Sequence, residues 1–180
     1  MYSYPLPYLT FLYHFHEDQD YFECHEVLEE YWKESTGQAR PSVWIGLIQT
    51  AVSLYHHRRG NFAGARKLMN KALLALAQCK KELKDLGIDA DRFTEKLSLR
   101  YRELQNGASF TPLTIPFSRQ DVIKQYQQFK KSCMPSSPEK PQHFLYHKHR
   151  LRNRSDVIAA RNQSLEKRRR LRQHAKPSPY

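Results

Sequence analysis

His25 and Glu29 stand four residues apart in YFECHEVLEEYW, residues Tyr21 to Trp32. In a helix, successive residues advance roughly 100°, so this spacing puts an imidazole and a carboxylate one turn apart on one stripe. Such a pair can chelate a divalent metal ion, the His through a neutral ring nitrogen and the Glu through one or two oxygens. Trp32 falls on the same stripe one turn on and would wall the site; Tyr21 extends the stripe one turn back. Glu26 is rotated away by about a quarter turn. It is the one candidate for a catalytic role, as a proton acceptor, and could also bind from the rim; beyond it no catalytic group is evident. The run reads His-Glu-x-x-Glu, and the metalloprotease motif needs a second His at its last position, so that class is excluded. Without a metal, the same His–Glu pair could act as a buried polar network that fixes helix register.

A second helical segment supplies candidate partners. Gln49 and His56 are seven residues apart and share a stripe with Ile45 and Val52. That stripe is apolar enough to face other helices, and a buried Gln and His need partners. The expected site is therefore His25, Glu29 and His56 as metal ligands, with Tyr21, Trp32 and Gln49 lining the pocket. His14, His16, Glu17 and Asp18, in FLYHFHED, are further potential ligands, although such a run is more commonly a solvated lead-in. No Gly-x-Ser-x-Gly elbow is present, and no cysteine has an obvious partner His.

The elements that must hold these residues are helical. Asp20 with Glu23 forms a capping-box-like start for a helix that closes near Gly37. A second helix opens at Pro41 and ends at Gly60. Asn61 caps a third that continues through Leu68, Ala72, Leu76 and Leu83 to Gly87. A fourth follows Asp89, with Phe93, Leu97, Tyr101 and Leu104 on one stripe, and ends at Asn106-Gly107. TPLTIPF should run extended, and Ser118 should cap a short fifth helix carrying Val122, Tyr126 and Phe129. Gly64, inside the third helix, costs about 1 kcal/mol against alanine, which close approach of a neighbouring helix would explain. No segment alternates with period two. The expected fold is all-α, a compact antiparallel bundle of four to five helices with a basic C-terminal extension. The helical domain would span residues 1–131, a linker 132–141, and a basic tail 142–180 that is disordered or folds on a partner.

The motif residues also resemble a known family. His25-x-x-x-Glu29-x-x-Trp32, within DYFECHEVLEEYW, is similar to the signature of domain-of-unknown-function family 309, a group of bacterial and archaeal helical proteins. GLIQTAV (Gly46 to Val52) resembles the following helix of that family. YHHRRGNFAGA (Tyr55 to Ala65) resembles its next turn, with His56, Gly60, Asn61, Gly64 and Ala65 at matching positions. The resemblance covers about residues 11–80. It implies an all-helical fold and a motif at His25, Glu29 and Trp32 suspected of binding metal; it implies no particular reaction.

Charge is distributed unevenly. Residues 139–180 hold 12 Lys and Arg against 3 Asp and Glu, whereas residues 1–138 hold 18 against 15. The tail clusters, including Arg150, Arg152, Arg154, Arg168, Arg169 and Arg170, would engage nucleic acid or another polyanion through residues 142–176 by charge, with steep salt dependence. The alternative to a metal site is thus a non-enzymatic binding or scaffold protein whose tail binds nucleic acid. A homodimer is a further expected partner arrangement. Three cysteines without a CxxC pair point to a reducing compartment, the cytoplasm. No apolar run approaches the ~18 residues of a spanning helix, and the N-terminus lacks the basic region of a signal peptide.

Overall fold

The computed structural model describes residues 3–35, 37 and 41–133, and their regular elements are all helices, with no strand among them. In order they form α1 (Leu6–Tyr13), a π-helical turn (His14–Asp18), α2 (Tyr21–Ser35), α3 (Val43–Arg58), α4 (Phe62–Gln78), α5 (Lys80–Asp85), α6 (Ala90–Gln105) and α7 (Gln120–Ser132). The all-α bundle expected from the sequence is what forms. The expected basic tail and linker lie outside the described residues.

α3 is the central helix. Ten of its sixteen residues are buried, because it packs against α2 on one side and α4 on the other. Tyr31 meets Trp44 edge-on at 5.0 Å between ring centroids, and Phe22 lies 6.2 Å from Tyr55. Opposite ends of α2 and α3 therefore meet, which makes the pair antiparallel. Two polar side chains buried along α3 bond to backbone carbonyls: Thr50 donates to the Gly46 carbonyl at 2.9 Å, and Ser53 reaches across to the Ala65 carbonyl at 2.8 Å. Against α4, a Cβ on Gly46 would meet the Leu76 Cγ at 2.5 Å, so only glycine lets the two helices approach this closely. At Gly64 the same construction meets the capping amide of Asn61 rather than another helix. The close approach expected at Gly64 is thus found at Gly46.

Three of the expected helix starts carry their caps. Asp20, Asn61 and Asp89 accept from the backbone N–H of Glu23, Gly64 and Arg92 at 3.0–3.1 Å. The second helix starts at Val43 rather than Pro41, and the last at Gln120, after Arg119 rather than Ser118. The long third helix is interrupted at Cys79, where backbone angles leave the helical region, giving α4 and α5.

An additional helix precedes the expected ones. LPYLTFLY is apolar on almost every side, and α1 buries Tyr8, Leu9, Phe11 and Leu12. The Tyr8 hydroxyl donates to the Leu86 carbonyl at 3.0 Å, fixing α1 to the turn before α6. The segment after α6 runs extended and is tied back to the body. Arg100, only 4% exposed, donates to the Thr111 carbonyl at 2.8 Å, and Asp89 N–H donates to the Pro116 carbonyl at 2.9 Å.

Candidate metal centre on the second helix

The buried stripe of α2 is Tyr21, Cys24, Leu28 and Trp32. His25, Glu26 and Glu29 lie on its flank, roughly a quarter turn round, with side chains 28–35% exposed. The flank is half wet: Phe22 covers one end, its ring 6.4 Å from that of His25, while water reaches the other. His25 is bracketed by the two carboxylates. Its Nδ1 lies 3.0 Å from Glu26 Oε1 and its Nε2 3.3 Å from Glu29 Oε2. One donor atom from each of the three residues falls within 4.8 Å of the others, a spacing one metal ion could span. Lys33 completes the group, with Nζ 3.0 Å from Glu29 Oε1.

A neutral imidazole carries one N–H, so it can donate to only one of these carboxylates. The other nitrogen then faces a carboxylate lone pair to lone pair. A metal ion held between that nitrogen and its carboxylate would make the contact attractive.

The remaining residues singled out by spacing are placed as follows. Trp32 is 6% exposed and Tyr21 1% exposed. Tyr21 meets Phe15 and Phe110 edge-on, with the Arg58 guanidinium 5.0 Å over its ring; burial pushes its hydroxyl up to about 12. On α3, Gln49 is half-buried, and its Oε1 is enclosed without a hydrogen-bond partner. His56 lies at the last turn of α3, where its Nδ1 meets Asn61 Nδ2 at 3.0 Å; burial, then Arg59, holds its pKa below the ordinary value. His56 is not among the three residues whose donor atoms converge. Lys33 is not singled out by the spacing argument, although its position four residues after Glu29 is the signal that would find it.

FLYHFHED is not a solvated lead-in. His14 Nδ1 contacts Asp18 at 2.9 Å, and Glu17 receives the Tyr126 hydroxyl at 2.8 Å and Lys130 at 2.6 Å from α7. His16 stacks on Phe117, its Nε2 buried without a partner, and desolvation lowers its pKa to about 4. These four residues dock the N-terminal segment and do not converge on one point.

A helical domain with a His–Glu–Glu group on the flank of one helix defines the class. Residues 8–68 match the family model described as Domain of unknown function (DUF309). The chain is 38% identical over 172 residues to "Uncharacterized protein YpuF" of Bacillus subtilis (strain 168), a match covering 94% of this chain and 99% of that one. It is 26% identical over 87 residues to an "Uncharacterized protein" of Aquifex aeolicus (strain VF5), covering 48% of this chain and 26% of that protein. The chain belongs to the DUF309 family. No solved structure matches it.

Proposed function

We propose that the chain binds a divalent metal ion on α2, through His25, Glu26 and Glu29, with Tyr21 and Trp32 as its apolar backing. The observation that supports the reading is that one donor atom from each of these three residues lies within 4.8 Å of the others, on a flank half open to water. One nitrogen and two carboxylate donors suit zinc, manganese or iron, and three protein ligands leave positions for water. Such an ion would supply Lewis acidity or an activated water. Gln49 and His56, on the facing helix, are the outer groups of the proposed pocket, and a second copy of the chain could complete the ligand set.

Lys33 provides the test. It neutralises Glu29 in the metal-free state and so competes with an ion for that carboxylate. Lys33→Ala should raise metal affinity severalfold in a competition titration against a chromophoric chelator, while Glu29→Gln should lower it at least tenfold. A Lys33→Ala variant with unchanged or weaker affinity would sink the proposed ligand set.

A second reading is supported by the charge distribution. The excess of 12 basic over 3 acidic residues in 139–180 suits an arm that engages nucleic acid through Arg150, Arg152, Arg154 and Arg168–Arg170. It is compatible with a metal site in the body. The three cysteines are free, which suits a reducing, cytoplasmic setting. No helix among the described residues is long and apolar enough to cross a membrane.

A further inference from the structure

The helical body carries a basic cleft of its own. Between Glu34 and Glu82 the sequence contains no Asp or Glu and eight Lys or Arg. Part of that charge lines a cleft of about 360 Å³ between α4 and α6, formed by Arg66, Lys67, Asn70, Tyr101 and Gln105. The volume falls at the small end of ligand pockets, about 300–1,000 Å³. Thr94 and Ser98, on the stripe of α6 that includes Tyr101 and Gln105, are neutral, and among the described residues neither Arg66 nor Lys67 forms an ion pair. The electronegative group at this end is the α6 carbonyl of Leu104, which Arg66 Nη1 meets at 3.5 Å, the outer limit of a hydrogen bond. Arg66 is half-buried and Lys67 exposed, and both line the cleft. Tyr101 is half-buried and presents part of its ring; Asn70 and Gln105 add amides that can both donate and accept.

We infer that this cleft binds single-stranded nucleic acid, with backbone phosphate on Arg66 and Lys67, a base against Tyr101, and Asn70 and Gln105 on the base edge. Cations beside an aromatic platform and amides are the elements of strand recognition. A duplex would need an element that protrudes into a groove, and this site is concave. An anionic membrane is disfavoured because single exposed leucines, Leu74 on α4 and Leu99 on α6, are little to insert. The inference is independent of the metal reading. It differs from the tail reading in placing contacts on the folded body.

The test uses the full chain, a fluorescein-labelled oligouridine of about 12 nucleotides, and anisotropy across a salt series. R66A/K67A removes two phosphate contacts and should flatten the slope of log affinity against log salt by about 1.4. Tyr101→Leu should weaken binding about 5- to 150-fold, the range of one stacked base. Melting temperature and circular dichroism establish that each variant is folded. Ultraviolet cross-linking of the wild-type complex should map to Tyr101. R168A/R169A/R170A separates the two readings: a tail contribution lowers affinity further, and the Tyr101→Leu loss persists in its background. The inference is overturned if R66A/K67A or Tyr101→Leu leaves binding unchanged, or if cross-links map only to residues 142–176. Binding to phosphatidylcholine–phosphatidylserine vesicles but not to the oligonucleotide would overturn it too.

Discussion

Lowering the pH from 7 to 4 should destabilise this protein through one residue of the π-helical turn. His16 is packed between Phe15, Phe117 and Tyr126, and its Nε2 is buried without a partner. Desolvation lowers its pKa from 6.5 to about 4, with Lys96 acting in the same direction and Glu17 opposing. The unfolded chain takes up a proton near 6.5, whereas the folded chain resists it until about 4. Stability is therefore fully present above 6.5, falls as pH drops through the interval, and levels off below about 4. The slope is about 1.4 kcal/mol per pH unit, giving a total near 3 kcal/mol. His16→Leu keeps an apolar side chain of similar size and has nothing to titrate. Urea unfolding of both proteins at several pH values isolates the effect, because other groups titrate in both. The wild type should lose about 3 kcal/mol relative to the variant between pH 6.5 and 4. Parallel pH profiles would refute the reasoning, and with it the view that this segment docks His16 in its neutral form.

Gly46→Ala should destabilise the wild type by up to about 2 kcal/mol, since overpacking against Leu76 costs about 1–3 kcal/mol and the helix gains about 1 kcal/mol. In a Leu76→Ala background the clash is gone, so the same change should stabilise; a double-mutant cycle in urea reads the reversal, and a stabilised single variant would contradict the packing. Among the thiols, Cys24 is fully buried, donates to the Phe11 carbonyl at 3.7 Å, and is pushed well above its ordinary pKa by burial. Cys79 is 1% exposed and is likewise raised by burial, whereas Cys133 is only partly covered. An aromatic disulfide reagent should therefore react quickly with Cys133 alone in the native protein and with all three after denaturation; rapid native labelling of Cys24 would show that α1 does not stay packed on α2.

The legible parts of the fold were those with local chemical signals. Asp20, Asn61 and Asp89 announce helix starts because a short side chain at that position can reach a backbone N–H three residues on. α1 carries no such signal. Its residues are apolar all round, so periodicity cannot separate a buried helix from an apolar lead-in. The π-helical turn inserts a residue into the helical register and has no periodic signature. The break at Cys79 is hidden because Leu76 and Leu83 keep a spacing of seven across it. Rotation of α3 was illegible for a related reason. A helix buried on two sides offers no single apolar face, so the orientation of Gln49 and His56 does not follow from sequence. His25 and Glu29 are on one helix, where spacing alone brings them together. The contact of Glu26 with the same ring depends on side-chain rotamers, which spacing does not specify.

The central claim is that His25, Glu26 and Glu29 hold an ion. Elemental analysis of protein purified without added metal, followed by metal titration of the wild type and His25→Ala, tests it most directly. The account predicts about one divalent ion per chain in the wild type, lost in the variant while its helicity and melting temperature are kept. A metal-free wild type that takes up none on titration, with His25→Ala merely unfolding, would contradict it and leave the His–Glu–Glu group as a structural network.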